Sequence, residues 1–154
     1  WYDRLGRLVA NNKSELLNTR PVNADATIKN DLPNEDGVPN HRPDPTQPEE
    51  DNHHILTGTN AQGQLYSSTS TCNDWTSASA NSGKPWHGLS WPRDMAILKA
   101  PPGGGSSSHW MSAMAEAGCL PGVNIVDNGP GNPSSGTVGS GGGYGGIYCF
   151  ALVP

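Results

Sequence analysis

The apolar positions of this chain come in short bursts, and none sustains the spacing of a long helix. The clearest burst is Gly146-Ile147-Tyr148-Cys149-Phe150-Ala151-Leu152-Val153, whose nearly continuous apolar character predicts a strand buried in a sheet. His54-Ile55-Leu56-Thr57-Gly58-Thr59 predicts a second strand, and Asn60-Ala61-Gln62-Gly63 a turn before Gln64-Leu65-Tyr66. Near the start, Arg4-Leu5-Gly6-Arg7-Leu8-Val9 reads as a hairpin or a short strand entering a turn. Ser14-Glu15-Leu16-Leu17 fits one helical turn capped by Ser14. Trp110-Met111-Ser112-Ala113-Met114-Ala115 has the spacing of one or two helical turns, or of a short irregular strand. Three long polar stretches separate these bursts. Residues 21–51 are dominated by Pro, Asn, Asp and Glu, and Pro33, Pro39, Pro43, Pro45 and Pro48 exclude regular helix or central strand there. Residues 79–108 form a Gly/Pro/Ser-rich loop broken by Trp86, Trp91 and Met95-Ala96-Ile97-Leu98. Residues 127–143 form another such loop.

Composition narrows the picture. A length of 154 residues fits one domain with a modest core, yet only 33% of residues are hydrophobic while Gly (20) and Pro (14) are abundant. Turns, ordered loops and a few short strands are therefore expected. The net charge of −5 disfavours nucleic acid, heparin or acidic membranes as partners. Residues 1–54 carry 10 of the 14 acids and 6 of the 9 bases, which leaves the remainder nearly uncharged. No stretch approaches the roughly 18 apolar residues of a membrane span. The opening Trp1-Tyr2-Asp3 reads like the middle of a domain, so an N-terminal segment is expected to have been removed or separated.

The cysteine count sharpens that expectation. Cys72, Cys119 and Cys149 make an odd number, and an exported domain normally pairs its cysteines, so one of the three wants a partner outside this chain.

Taken in order, Thr57-Gly58-Thr59-Asn60-Ala61-Gln62-Gly63, Thr71-Cys72-Asn73-Asp74-Trp75-Thr76-Ser77, Gly118-Cys119 and Tyr148-Cys149-Phe150 resemble the endostatin-like branch of the C-type-lectin-like fold. They look most like bacterial exported proteins with a collagen-endostatin-type domain. The resemblance spans most of residues 1–11 and 55–151. It implies a single α+β domain over 1–154 with a small, mostly antiparallel sheet, little helix, long loops and the last strand in the core. It further implies that the N-terminal strand and helix of that fold are missing from this chain. The resemblance also implies an inner disulfide, Cys72–Cys119, and an outer bridge from Cys149 to a cysteine of the missing helix. Cys149 is then a free buried thiol, or is bonded to a separate chain. An extracellular, periplasmic or outer-cell-surface location follows from the same likeness.

Candidate chemistry is sparse. His53-His54, after Glu49, Glu50 and Asp51, is the best metal-like cluster, but adjacent strand residues point to opposite faces. It reads as a solvated polar loop entering a strand, and the N-terminal zinc-binding histidines of endostatin have no counterpart here, so no metal site is expected. Asp25, Asp31, Asn34, Asp36 and Gly37 raise calcium, but they miss the EF-hand spacing and read as turn-formers. The Glu-Pro-Asn signature of calcium-dependent lectins is absent. Trp75 and Trp110 are expected in the core. Trp86, His87 and Trp91, in Trp-His-Gly-Leu-Ser-Trp, together with His109, form the expected ligand-binding surface of the 84–110 loops. His87, His109, Ser90 and Asp94 supply no recognisable nucleophile motif, and neither Gly103-Gly104-Gly105 nor Gly141-Gly142-Gly143 carries the Lys-Ser/Thr of a phosphate loop. The expected function is a non-catalytic extracytoplasmic module that binds a glycan or protein at the cell surface. The alternative is an accessory subunit of a larger assembly, partnered by a protein or by a separate N-terminal segment.

Overall fold

Local polar side chains set the first elements. In the computed structural model, which describes residues 1–28, 32–37, 53–90, 109–122, 136–141, 143 and 145–153, the Asp3 carboxylate accepts the backbone N–H groups of Leu5 and Arg7 and pairs with the Arg7 guanidinium at 2.7 Å. Gly6, at φ +73°, completes the tight turn, and Tyr2 bridges Leu8 across it, giving the expected hairpin. The next turn, Lys13–Leu17, is a 3-10 helix capped by Asn12 rather than by Ser14. Asn12 Oδ1 accepts the Glu15 N–H at 3.2 Å and also takes the Ser14 hydroxyl at 2.6 Å. The Glu15 carboxylate gathers the Asn11 backbone N–H and the side-chain amides of Asn11, Asn12 and Asn23.

Among the described residues the sheet has three antiparallel strands in the order β1-β2-β3: β1 is His54–Leu56, β2 is Trp86–Leu89 and β3 is Met114–Ala115. His54 lies opposite Leu89 and Leu56 opposite His87, while Trp86 lies opposite Ala115. The central strand β2 arises inside the stretch expected to be a loop. Four residues behind Pro85 are too few to display an alternation, and what makes them a strand is tertiary. Gly88 brings the backbone of β2 so close to Trp110 that a Cβ there would collide with the Trp110 carbonyl group. Backbone bonds from Leu89 N–H to the His109 carbonyl, Ala113 N–H to His87 and Glu116 N–H to Pro85 extend the pairing along the 109–116 segment.

Beside the sheet, Val9, Ile28 and Leu32 form a small core against which Trp1, Ala24, Tyr148 and Phe150 pack. Trp110 is buried as expected, its indole N–H donating to the Leu16 carbonyl and its own carbonyl accepting the Tyr148 hydroxyl. Trp75 is not in the core and stays 48% exposed. Cys72, Asn73, Asp74 and Trp75 have φ between 49° and 61°, and this left-handed turn swings the indole outward against Gly58. The turn is anchored by Thr71, which caps Asp74, and by the Cys72–Cys119 disulfide, with Cα atoms 5.6 Å apart.

The closing segment differs most from expectation. It runs along the periphery and not through the core. Leu56 N–H bonds the Gly146 carbonyl at one end, and Tyr2 and Ala151 exchange both backbone bonds at the other. Tyr148 and Phe150 turn inward, while Ile147 is 75% exposed and Leu152 and Val153 are similarly open. Apolar residues on both faces made this segment read as doubly buried, yet among the described residues only the Tyr148 and Phe150 face is covered. Cys149 is accordingly an exposed free thiol, not a buried one.

Candidate functional site

Strand alternation sorts β1 into two environments. Ile55 faces an apolar cleft, and His54 faces the opposite side, where it meets His87 of β2 and Glu116 just beyond β3. All three are buried, with Glu116 only 1% exposed. The imidazoles of His54 and His87 stack with centroids 4.0 Å apart and planes 19° from parallel. His54 Nδ1 lies 2.9 Å from Glu116 Oε1, and His87 Nδ1 lies 3.1 Å from the same oxygen. The second contact is out of hydrogen-bonding alignment, so among the described residues neither ring nitrogen of His87 has a hydrogen-bond partner. Leaving such groups unsatisfied costs roughly 1–3 kcal/mol apiece. Glu116 Oε2 accepts the Ser140 hydroxyl at 2.8 Å and the Gly141 N–H at 2.6 Å. Burial holds the His87 imidazole well below the ordinary histidine value, and the neighbouring His54 and His53 push it the same way. The ligating atoms of His54, His87 and Glu116 all lie within 4.8 Å of one another.

The expected ligand surface is thus dispersed. His87 belongs to this buried centre. His109 is buried elsewhere, its Nδ1 accepting the Met111 N–H at 3.1 Å. Trp86 is half-buried, with its indole N–H on the Ser112 hydroxyl at 2.9 Å and one ring face stacked on Tyr66 at 3.7 Å. Trp91 and Asp94 lie outside the described residues, as do Asp31 and Met95-Ala96-Ile97-Leu98. Asp25 and Asn34 cap their own turns, Asp25 accepting from Thr27 and Asn34 from Asp36. Ser90 accepts the Leu32 N–H. Sequence reading missed Glu116. The available signal was a lone acid between Ala115 and Ala117, within a nearly uncharged region.

Burial also lowers the His109 pKa from its ordinary value, partly offset by the Leu17 backbone. Below pH about 6.5 the unfolded chain therefore binds more protons at this position than the folded one, so stability falls as pH drops through the lowered folded value. His109→Asn keeps an acceptor for Met111 and cannot titrate. Urea melts at pH 7.5 and 5.5 should show a smaller acid loss in this variant than in the parent; equal losses would refute the assignment.

On the other side of β1 lies a cleft of about 900 Å³. Its walls include Leu32, Pro33, Ile55, Ile147, Tyr148 and Phe150, and Cys149 lies along the same wall. Asp3, Arg4 and Glu35 form a polar lip, where Arg4 Nε donates to the Glu35 carbonyl at 2.9 Å.

No family model, curated protein or solved structure matches the chain. Among the described residues no helix is long and apolar enough to cross a membrane. The disulfide is of the kind that persists in oxidising compartments.

Proposed function

We propose that this chain is a non-catalytic extracytoplasmic binding module of the C-type-lectin-like, endostatin-like class, and that its ligand is an extended apolar segment of a partner protein. The observation that carries the reading is the cleft beside the closing segment. Its volume falls in the range of roughly 300–1,000 Å³ typical of ligand sites. It follows a peripheral stretch of chain tied down at Gly146 and Ala151, beside which a partner segment would lie. Exposed Ile147, Leu152 and Val153 continue the apolar surface beyond the cleft. A protein ligand is favoured over a glycan because Trp86, the described half of the expected aromatic platform, already has one face and its N–H engaged. Catalysis finds little support, since His87, His109 and Ser90 are buried and none of them lines the cleft.

A phage-displayed library of linear 12-residue peptides supplies a probe. Enriched peptides should carry alternating apolar residues. They should lose at least tenfold in affinity for the Ile147→Glu variant, whose melting temperature should match the parent because the side chain is exposed. Unchanged affinity for that variant would overturn the assignment of the cleft. The absence of any enriched peptide would overturn the peptide ligand.

A further inference from the structure

We propose that His54, His87 and Glu116 form a binding site for one zinc-class divalent transition-metal ion, held by the two imidazole Nδ1 atoms and Glu116 Oε1. This inference is independent of the cleft, which lies across β1 from these side chains.

Three observations support it. The first is donor chemistry. Two imidazoles and one carboxylate suit zinc, cobalt, nickel or copper, whereas calcium and magnesium prefer oxygen-only shells. The second is spacing. Ligands at about 2.0–2.1 Å from a tetrahedral ion stand about 3.3 Å apart, and the two imidazole nitrogens approach Glu116 Oε1 at 2.9 and 3.1 Å. These two spacings are close to that value, and completing the shell requires the stacked imidazoles to turn so that both Nδ1 lone pairs converge on the ion.

The third observation is the pattern of satisfied and unsatisfied atoms. Hydrogen bonding alone accounts for His54 and for Glu116 Oε2, but leaves His87, with no exposed surface, without a partner at either nitrogen. An ion at Oε1 gives His87 Nδ1 the electron-pair acceptor that the carboxylate does not offer. Ser140 and Gly141 meanwhile hold Oε2, which fixes the carboxylate with Oε1 toward the two imidazoles, the outer-shell support that metal ligands commonly have. The Gly141 backbone lies so near that a Cβ there would stand 2.7 Å from the His54 ring and 3.0 Å from Glu116. The ligands come from β1, β2 and the residue that follows β3, so one ion ties together all three strands.

The test uses the intact chain, stripped with chelator and titrated with zinc sulfate. One zinc per chain is expected, with the melting temperature rising as the site fills. X-ray absorption at the zinc edge should show imidazole and oxygen scattering without sulfur. His54→Gln and Glu116→Gln should each lower affinity at least 100-fold, and Ser140→Ala about tenfold. His109→Asn should bind like the parent. The absorption spectrum of the parent protein needs no variant to fold, so the proposal stays testable if a buried substitution unfolds the chain. Sulfur scattering would place the ion on Cys149 and overturn the proposal, as would less than about one-tenth of an equivalent bound, or undiminished affinity in folded Glu116→Gln.

Discussion

Replacing Cys72 and Cys119 together with serine is expected to cost about 4 kcal/mol in the free energy of unfolding. The bridge spans 47 residues, and closing a loop of that size removes roughly that much entropy from the unfolded chain. Both cysteines are buried, so the new hydroxyls also lose water on folding and add to the loss. Small domains have about 5–15 kcal/mol in total, so the loss removes between about a quarter and most of the stability. The bridge also fixes the left-handed turn 72–75 against the Gly118-Cys119 segment, and Gly118 itself packs on the carbonyls of Ala80 and Gly136. Loosening should therefore reach residues 80 and 136. Urea unfolding of the oxidised parent and the double variant measures the difference, and a change below about 1 kcal/mol would contradict this account.

Gly88→Ala should be the most damaging single-methyl addition in the sheet, at about 3 kcal/mol. The new Cβ would meet the Trp110 carbonyl group and come within 2.7 Å of Met111 Cα. These are main-chain atoms, with no flexible side-chain end to move aside. Relief requires β2 and the 109–111 segment to part. That strains the bonds from Leu89 to His109 and from the Trp110 indole to Leu16. Gly6→Ala is the matched control, since it has a positive φ but nothing near its Cβ, and it should cost about 1 kcal/mol. Equal urea midpoints for the two variants would show that the close approach at Gly88 is not holding the sheet.

What the sequence made legible was local. The hairpin around Asp3 and Gly6, the strand at His54 and the turn at Asn60–Gly63 depend on neighbours within a few residues, and their residue types announce them. The pairing of Cys72 with Cys119 was reached through a family likeness, not from spacing. The strand at Trp86–Leu89 was hidden because its cause, the approach of Trp110 to Gly88, lies 22 residues away. The histidine–glutamate centre was hidden for the same reason. His54 and Glu116 are 62 residues apart, and only the register of β1 on β2 brings His87 between them. The closing segment misled in the opposite direction, because apolar character alone does not tell a covered face from a cleft.

The proposed role rests on the cleft beside residues 145–151, and amide chemical-shift mapping with an enriched peptide tests it most directly. On adding the peptide to isotope-labelled protein, the largest shifts should fall at Leu32–Glu35 and Gly145–Ala151, with Tyr66 and Trp86 undisturbed. Shifts concentrated at Tyr66 and Trp86, with the 145–151 amides unmoved, would contradict it.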